Sequence, residues 1–123
     1  MLQLDYKSGV PICEQIVNGF IRLKALGVLN DGDQLPSVRS LAIKLSVNPN
    51  TIQKAYAILE SDGVIYSVKG KGSYMAEGSS SDLAVIKKAK ENFKQAVTSA
   101  NQLGLTNREL KELVDEVLKE EAE

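Results

Sequence analysis

Residues 34–75 read QLPSVRSLAIKLSVNPNTIQKAYAILESDGVIYSVKGKGSYM, and this stretch decides the fold. Two short helical patterns are separated by a tight turn at Ser46-Val47-Asn48 and followed by two strand-like runs around a glycine-rich loop. A helix, a turn, a second helix and a small hairpin in this order predict a winged helix-turn-helix. The expected fold class is therefore mainly α with a small β-hairpin.

Local end signals define the two helices. Ser37 can cap the first helix, because its hydroxyl can accept a hydrogen bond from a free backbone N–H. Asn48 can cap the second, and Pro49 suits the first helical position, where an N–H is not needed. Asp62-Gly63 is a typical helix end. The second helix, predicted at 49–62, is the one that a helix-turn-helix protein places in the major groove of DNA.

The second helix has one apolar face and one polar face. Ile52, Ala55, Tyr56 and Leu59 share a side at helical spacing, and no Asp or Glu precedes Glu60. The candidate DNA contacts on the polar side are Asn50, Thr51, Gln53 and Lys54. Asn and Gln side chains can pair with adenine, a Thr methyl can touch thymine, and Lys can reach a base or a phosphate. The alternative is a polar face that only meets solvent.

The loop between the predicted strands is Lys69-Gly70-Lys71-Gly72. Its glycines permit a tight turn, and its two cations could reach phosphate or lie beside the minor groove. A plain hairpin turn is the alternative. Arg39, close to the helix start at Ser37, could bind a phosphate together with the helix N-terminus. Its alternative partner is Asp33, in a surface salt bridge.

The net charge of −1 conceals a division along the chain. Residues 34–76 hold five basic and two acidic side chains, a balance of +3, whereas residues 79–123 hold seven basic and nine acidic ones, a balance of −2. Such asymmetry indicates a polyanionic partner for the first segment only. Double-stranded DNA is the expected partner.

Composition argues against catalysis and against a membrane protein. The chain has no histidine and one cysteine, Cys13, which excludes the common triads and the usual zinc sites. Asp31 and Asp33 lack the further acids of a calcium loop. We expect no cofactor and no metal. No apolar run reaches the roughly 18 residues of a membrane span, and the expected location is the cytoplasm.

The predicted organisation has three parts. Residues 1–76 form the DNA-binding domain, which also includes an N-terminal helix at about 11–27, before the helix-turn-helix. Residues 77–81, EGSSS, form a short linker. Residues 82–123 form a helical dimerisation region, with one helix at about 82–103 and a second one introduced by a capping box of Thr106 and Glu109.

The two C-terminal helices carry apolar stripes that a short hairpin cannot bury by itself. The candidate dimerisation residues are Leu83, Ile86, Phe93, Val97, Leu110, Leu113, Val114 and Val117. A second copy is expected to cover them, giving a two-fold homodimer. Packing onto the N-terminal helix of the same chain, at about 11–27, is the alternative. A small-molecule effector, if there is one, would bind between protomers or between domain and hairpin, at residues that the sequence does not identify.

The ordered run Gly32–Ala42, the run Asn48–Tyr56 and the wing Gly70-Lys71-Gly72 resemble the GntR family of bacterial transcription regulators, a likeness that spans residues 2–76. With about 45 residues left, the chain resembles the short YtrA-type subgroup. The resemblance implies a winged helix-turn-helix, dimerisation by the two C-terminal helices, and repression, often of operons with ABC transporters.

The resemblance also implies DNA contacts by Arg39, Asn50, Thr51, Gln53 and the wing Lys69–Gly72. Pro49 stands where some members have arginine, so operator sequences do not transfer from those members. Two other classes of function stay open. A protein-interaction module would leave the basic surface without a role, and a small enzyme would need an acid–base constellation that the sequence lacks.

Overall fold

The computed structural model describes residues 2–78 and 83–122 of the chain. Within these residues it contains five helices and two antiparallel strands, which confirms the predicted fold class. In chain order they are α1 (Ile12–Ala25), α2 (Val38–Leu45), α3 (Pro49–Ser61), β1 (Ile65–Val68), β2 (Gly72–Met75), α4 (Ala84–Gln102) and α5 (Asn107–Ala122).

Helix α3 is the centre of the N-terminal core. Its residues Ile52, Ala55 and Leu59 are fully buried, and it packs against α1, α2 and β1. The ring of Phe20 on α1 meets the ring of Tyr56 on α3 edge to face, with centroids 5.8 Å apart. The apolar face predicted for the helix at 49–62, which is α3, is therefore its buried face.

The predicted caps are present. The Ser37 hydroxyl accepts a hydrogen bond from the Ser40 N–H at 3.0 Å, and the Asn48 side-chain oxygen accepts one from the Asn50 N–H at 2.8 Å. Ser46 ends α2 in the left-handed region, with φ +54°. These contacts satisfy backbone groups that a helix end would otherwise leave unpaired. They also place the turn of the helix-turn-helix at Ser46–Asn48, as predicted.

The hairpin has a third backbone neighbour that the sequence patterns did not indicate. Gly32 N–H donates to Met75 O, Met75 N–H donates to Asp33 O, and Leu35 N–H donates to Ser73 O, each at 2.8 Å. Strand β2 therefore lies between β1 and the segment just before α2. As a result, the wing is bonded by its backbone to the start of the helix-turn-helix.

Helix α1 is shorter than predicted at both ends. It begins at Ile12 and ends at Ala25, against the expected 11–27. The shortening at its C-terminus has a physical cause: the N–H groups of Val28 and Leu29 both return to Leu23 O, so the chain has already turned away. Cys13 on this helix is half-buried and packs against the core.

The chain divides into two compact units, Met1–Ile86 and Lys87–Glu123, with the boundary inside α4. The first unit thus extends beyond the predicted domain end at residue 76, because Leu83 is buried in its core and Val85 and Ile86 pack against that core. Of the predicted linker 77–81, residues 79–81 lie outside the described residues. In the second unit the capping box has formed, since Thr106 N–H and hydroxyl donate to Glu109 Oε1 and Glu109 N–H donates to Thr106 Oγ1.

None of the helices described in residues 2–78 and 83–122 is both long enough and apolar enough to span a bilayer.

The hydroxyl of Tyr56 donates a hydrogen bond of 2.6 Å to Pro36 O, which lies just before α2. Tyr56→Phe should lower the free energy of unfolding by about 1–2 kcal/mol, because the hydrogen bond from the buried tyrosine to Pro36 O is lost. Thermal unfolding should show a decrease of about 5–10 °C for a unit of this size. Tyr66→Phe, on a ring that is 44% exposed, is the matched control and should change little.

Burial raises the pKa of the Tyr56 phenol above its usual value. The folded state therefore keeps the proton when the unfolded state starts to lose it, and this contribution to stability is lost as pH rises above about 10. The stability difference between the wild type and Tyr56→Phe should shrink as pH rises above about 10. A difference that stays constant there would contradict the role given to burial.

Candidate nucleic-acid interface

The outward face of α3 carries the side chains predicted to read DNA. Asn50, Gln53 and Lys54 are exposed, and Thr51 is half-buried at the edge of the face. Ala57 is also exposed, and its small side chain permits another molecule to approach the helix closely. The first turn contains no acidic residue. This face can donate and accept hydrogen bonds, and its only charge before the last turn is positive.

The tip of the wing is a tight turn that presents two lysines. Lys71 N–H donates to Val68 O at 2.9 Å, which closes the turn, and Gly70 adopts φ +78°. A side chain at Gly70 would be strained in this conformation, so glycine is required there. Lys69 and Lys71 are exposed on either side of it. The turn holds two cations within three residues.

The start of α2 supplies a third cationic group. Arg39 is exposed in the first turn of the helix that Ser37 caps. Among the residues described by the structure, Arg39 forms no salt bridge, and the carboxylate of Asp33 instead accepts the Asn30 N–H at 2.8 Å. The alternative pairing of Arg39 with Asp33 is therefore absent. The guanidinium and the helix N-terminus remain available to an anion.

Residues 34–37 join these three groups. The side-chain amide of Gln34 donates to Lys71 O in the wing tip at 3.0 Å, and its backbone is bridged to Tyr74 in β2. Pro36 O accepts the hydroxyl of Tyr56 from α3, and Ser37 caps α2. The wing, α3 and α2 are therefore all bonded to one short backbone segment, residues 34–37.

Sequence reasoning did not assign a role to Gln34 or to the Tyr56 hydroxyl. Both contacts join residues that are distant in sequence, by 37 and 20 positions, so no local spacing signals them. The residue types alone, an amide at Gln34 and a hydroxyl at Tyr56, showed that each side chain could form a hydrogen bond, but not with which partner.

The predicted dimerisation residues fall into two groups. Leu83 is buried and Ile86 half-buried against the core of the first unit, so their own chain already covers them. The others line an open groove of about 400 Å³ between α4 and α5 in the second unit. This group comprises Phe93, Val97, Leu110, Leu113, Val114 and Val117. Phe93, Leu113 and Val117 are each about half exposed there.

Comparison with known proteins identifies the protein family. The sequence profile described as "Bacterial regulatory proteins, gntR family" matches residues 22–75. The HTH-type transcriptional repressor YtrA of Bacillus subtilis is 39% identical over 119 residues, which cover 95% of this chain and 92% of that protein. The chain belongs to the GntR family.

Solved structures of GntR-family proteins and their relatives agree with this assignment. YtrA from Sulfolobus acidocaldarius, a GntR-family transcription factor, is 32% identical, with a TM-score of 0.66 over 79% of this chain and 97% of that one. A protein described as a transcriptional antiterminator from Listeria monocytogenes is 35% identical, with a TM-score of 0.77 over 95% of this chain and 89% of that one. The match to YtrA along nearly the whole chain agrees with the short subgroup.

This GntR-family chain is a DNA-binding transcriptional regulator and not an enzyme. The exposed face of α3, the cationic wing and the start of α2 have the chemistry that the two tasks of DNA binding require. Hydrogen-bonding side chains on a helix can read base edges, and cations with helix N-termini can hold the phosphate backbone.

Lys69→Ala and Lys71→Ala should each weaken DNA binding to a similar extent on every sequence, since phosphate contacts carry no sequence information. In a dimer each substitution removes two phosphate contacts, so the plot of log affinity against log salt should become shallower by about 2. Titration of an operator fragment and a random duplex at several salt concentrations measures this. Lys119→Ala, on α5, is the control, and an unchanged slope for both wing variants would contradict the assignment.

Proposed function

We propose that the protein is a homodimeric repressor that binds a palindromic operator, with α3 of each protomer in a major groove. The observation that carries the proposal is the acid-free outward face of α3, held through residues 34–37 to a wing with two cations. The membership in the GntR family supports DNA as the partner, and the name of the YtrA relative supports repression.

Base reading is assigned to the N-terminal half of α3. Asn50 and Gln53 lie one turn apart, so both can face the groove floor when the helix enters by its N-terminus. Thr51 and Lys54 flank them and suit a thymine methyl and a base or phosphate, respectively. Ser37, Arg39 and the wing residues Lys69, Gly70, Lys71 and Gly72 are assigned to the DNA backbone and the minor groove edge.

Dimerisation is assigned to the groove between α4 and α5. Its lining is apolar throughout, from Phe93 and Val97 on one side to Leu113, Val114 and Val117 on the other. Leu118 at its edge is 63% exposed in the single chain. Water contact over so much apolar surface is unfavourable, and a second copy removes it without requiring any other partner.

The charges of the two helices favour one arrangement of the two copies. Helix α4 holds four basic and one acidic side chain, a balance of +3, and α5 holds three basic and six acidic ones, a balance of −3. In a two-fold interface each contact occurs twice. Placing α4 of one protomer against α5 of its partner therefore pairs opposite charges around the apolar groove, whereas α4 against α4 would oppose like charges.

The targets and regulation follow from the resemblance to short GntR-family regulators. We extend the proposal to an operon with transporter genes. A small-molecule effector would act between protomers, because the apolar groove between α4 and α5 is open in the single chain and is enclosed only when a second copy lies against it.

The first experiment is a mobility shift on the promoter of the protein's own operon, with a random duplex of equal length as competitor, near physiological salt. We expect selective binding with a log–log salt slope of about −5, from roughly three neutralised phosphates per protomer. Footprinting should show two half-sites separated by about one helical turn or a multiple. Equal affinity for both duplexes, or affinity independent of salt, would overturn the proposal.

Gln53→Ala should relax sequence preference at one base pair per half-site, by about 1–3 kcal/mol, while leaving the affinity for random DNA nearly unchanged. A library of operators varied at single positions measures this. Gln95→Ala, a change of the same type on α4, is the control. An equal loss on operator and random duplexes would exclude base reading by Gln53.

Leu113→Asp should convert the dimer to a monomer, raising the dimer dissociation constant at least about 100-fold, because it buries a charge in an apolar interface. Sedimentation equilibrium at micromolar concentration measures the change. Ile43→Asp, on an aliphatic side chain of α2 that is 74% exposed against 50% for Leu113, is the control and should stay dimeric. A wild type that is monomeric at tens of micromolar, or a dimeric Leu113→Asp variant, would contradict this interface.

A further inference from the structure

We propose that Gln34 is a positioning residue for DNA binding, whose side-chain amide holds the backbone of Lys71, and with it the wing tip, in a fixed place relative to the start of α2. This inference rests on the proposed function of the wing. It adds a residue to which neither the sequence patterns nor the family motif assigns a role.

The contact is specific in its atoms. Gln34 Nε2 donates to Lys71 O at 3.0 Å, across 37 residues of sequence. Lys71 is the last residue of the turn, and its own N–H is bonded to Val68 O. Both peptide groups that flank the Lys71 Cα are therefore restrained, one by the turn and one by Gln34. The Cα of Lys71, from which the side chain extends, is therefore held in place on both sides.

Gly72 makes room for the amide. A Cβ placed on Gly72 would lie 3.1 Å from Gln34 Nε2, closer than ordinary packing permits, and Gly72 has φ +125°. The absence of a side chain at Gly72 lets the Gln34 amide reach the carbonyl one residue earlier. Glycine at this position thus serves the contact as well as the turn.

The backbone on both sides of Gln34 is also fixed. Leu35 N–H donates to Ser73 O, Asp33 O accepts the Met75 N–H, and Pro36 O accepts the Tyr56 hydroxyl. The segment is thus a rigid base, and the amide is a strut from this base to the wing tip. A two-stranded hairpin by itself is marginally ordered, so a strut to its tip reduces the freedom that DNA binding would otherwise have to remove.

The consequence concerns affinity more than stability. Gln34 is exposed, and a single exposed hydrogen bond contributes little to folding. The wing lysines, however, meet their phosphates only if the tip is held where the DNA backbone passes. Gln34 therefore acts through Lys71, and its effect on DNA binding depends on the Lys71 side chain.

A double-mutant cycle tests this dependence. Gln34→Met keeps the length of the side chain and removes the donor, and Lys71→Ala removes the cation but keeps the carbonyl that Gln34 binds. Operator dissociation constants are measured for the wild type, both single variants and the double variant of the full chain. Gln102→Met on α4 is the matched control. Thermal unfolding and amide hydrogen exchange are recorded on the same samples.

We expect Gln34→Met to weaken operator binding about 5- to 30-fold, since each of two wings loses one hydrogen bond. The same change should cost less than about 2-fold when Lys71 is already alanine. Hydrogen exchange should increase at residues 69–72 and stay unchanged in α3, with a melting temperature no more than about 5 °C below that of the wild type.

Three results would overturn the inference. An equal loss in both backgrounds would mean that Gln34 touches DNA itself, and no loss in the wild-type background would mean that the strut has no effect. A general increase in hydrogen exchange with a large fall in melting temperature would make Gln34 a folding residue only. These results differ from failure of the proposed function, in which the wild type would not select its operator at all.

Discussion

The hydrogen bond from the Tyr56 hydroxyl to Pro36 O is the constraint on which the candidate DNA-binding surface depends. Tyr56 lies on the buried face of α3, packed edge to face against Phe20, so its ring is fixed by the core. Its hydroxyl reaches out of that core and holds the residue before the α2 cap. The same segment continues to Gln34 and the wing. One core side chain thus fixes Pro36 beside α2, and the next two residues, Leu35 and Gln34, bond this segment to the hairpin.

This arrangement separates the residues that build the surface from the residues that act on it. Ile52, Ala55 and Leu59 are fully buried and orient α3, whereas Asn50, Gln53 and Lys54 are exposed and take no part in the core. The wing repeats this division, since Gly70 and Gly72 shape the turn while Lys69 and Lys71 carry the charge. A family can therefore keep one scaffold and alter operator preference through a few exposed side chains.

Local signals predicted the helices well, because caps and helical spacing act within one or two turns. Ser37, Asn48, Pro49 and the box of Thr106 with Glu109 lie where the sequence placed them. Long-range contacts were not predictable in the same way. The pairing of residues 32–35 with β2, the Gln34 strut and the burial of Leu83 in the first unit depend on the assembled fold. Leu83 fits the apolar stripe of the predicted helix by its spacing, yet it is buried in the core of the first unit. Helical spacing shows that a face is apolar, but it does not show which part of the protein covers that face.

The burial of Leu83 also bears on how a signal would pass along the chain. The chain is tied to the first unit before the predicted linker, where Ala76 N–H donates to Val64 O and Lys24 donates to Ala76 O, and again after it, at Leu83 and Ile86. Both ends of residues 77–82 are thus anchored on the same body. The connection that leaves this body is the uninterrupted backbone of α4 beyond Ile86. A helix resists bending and twisting far more than a loop does, so a rotation of α4 at Ile86 would act directly on the core of the first unit, against which Ile86 packs.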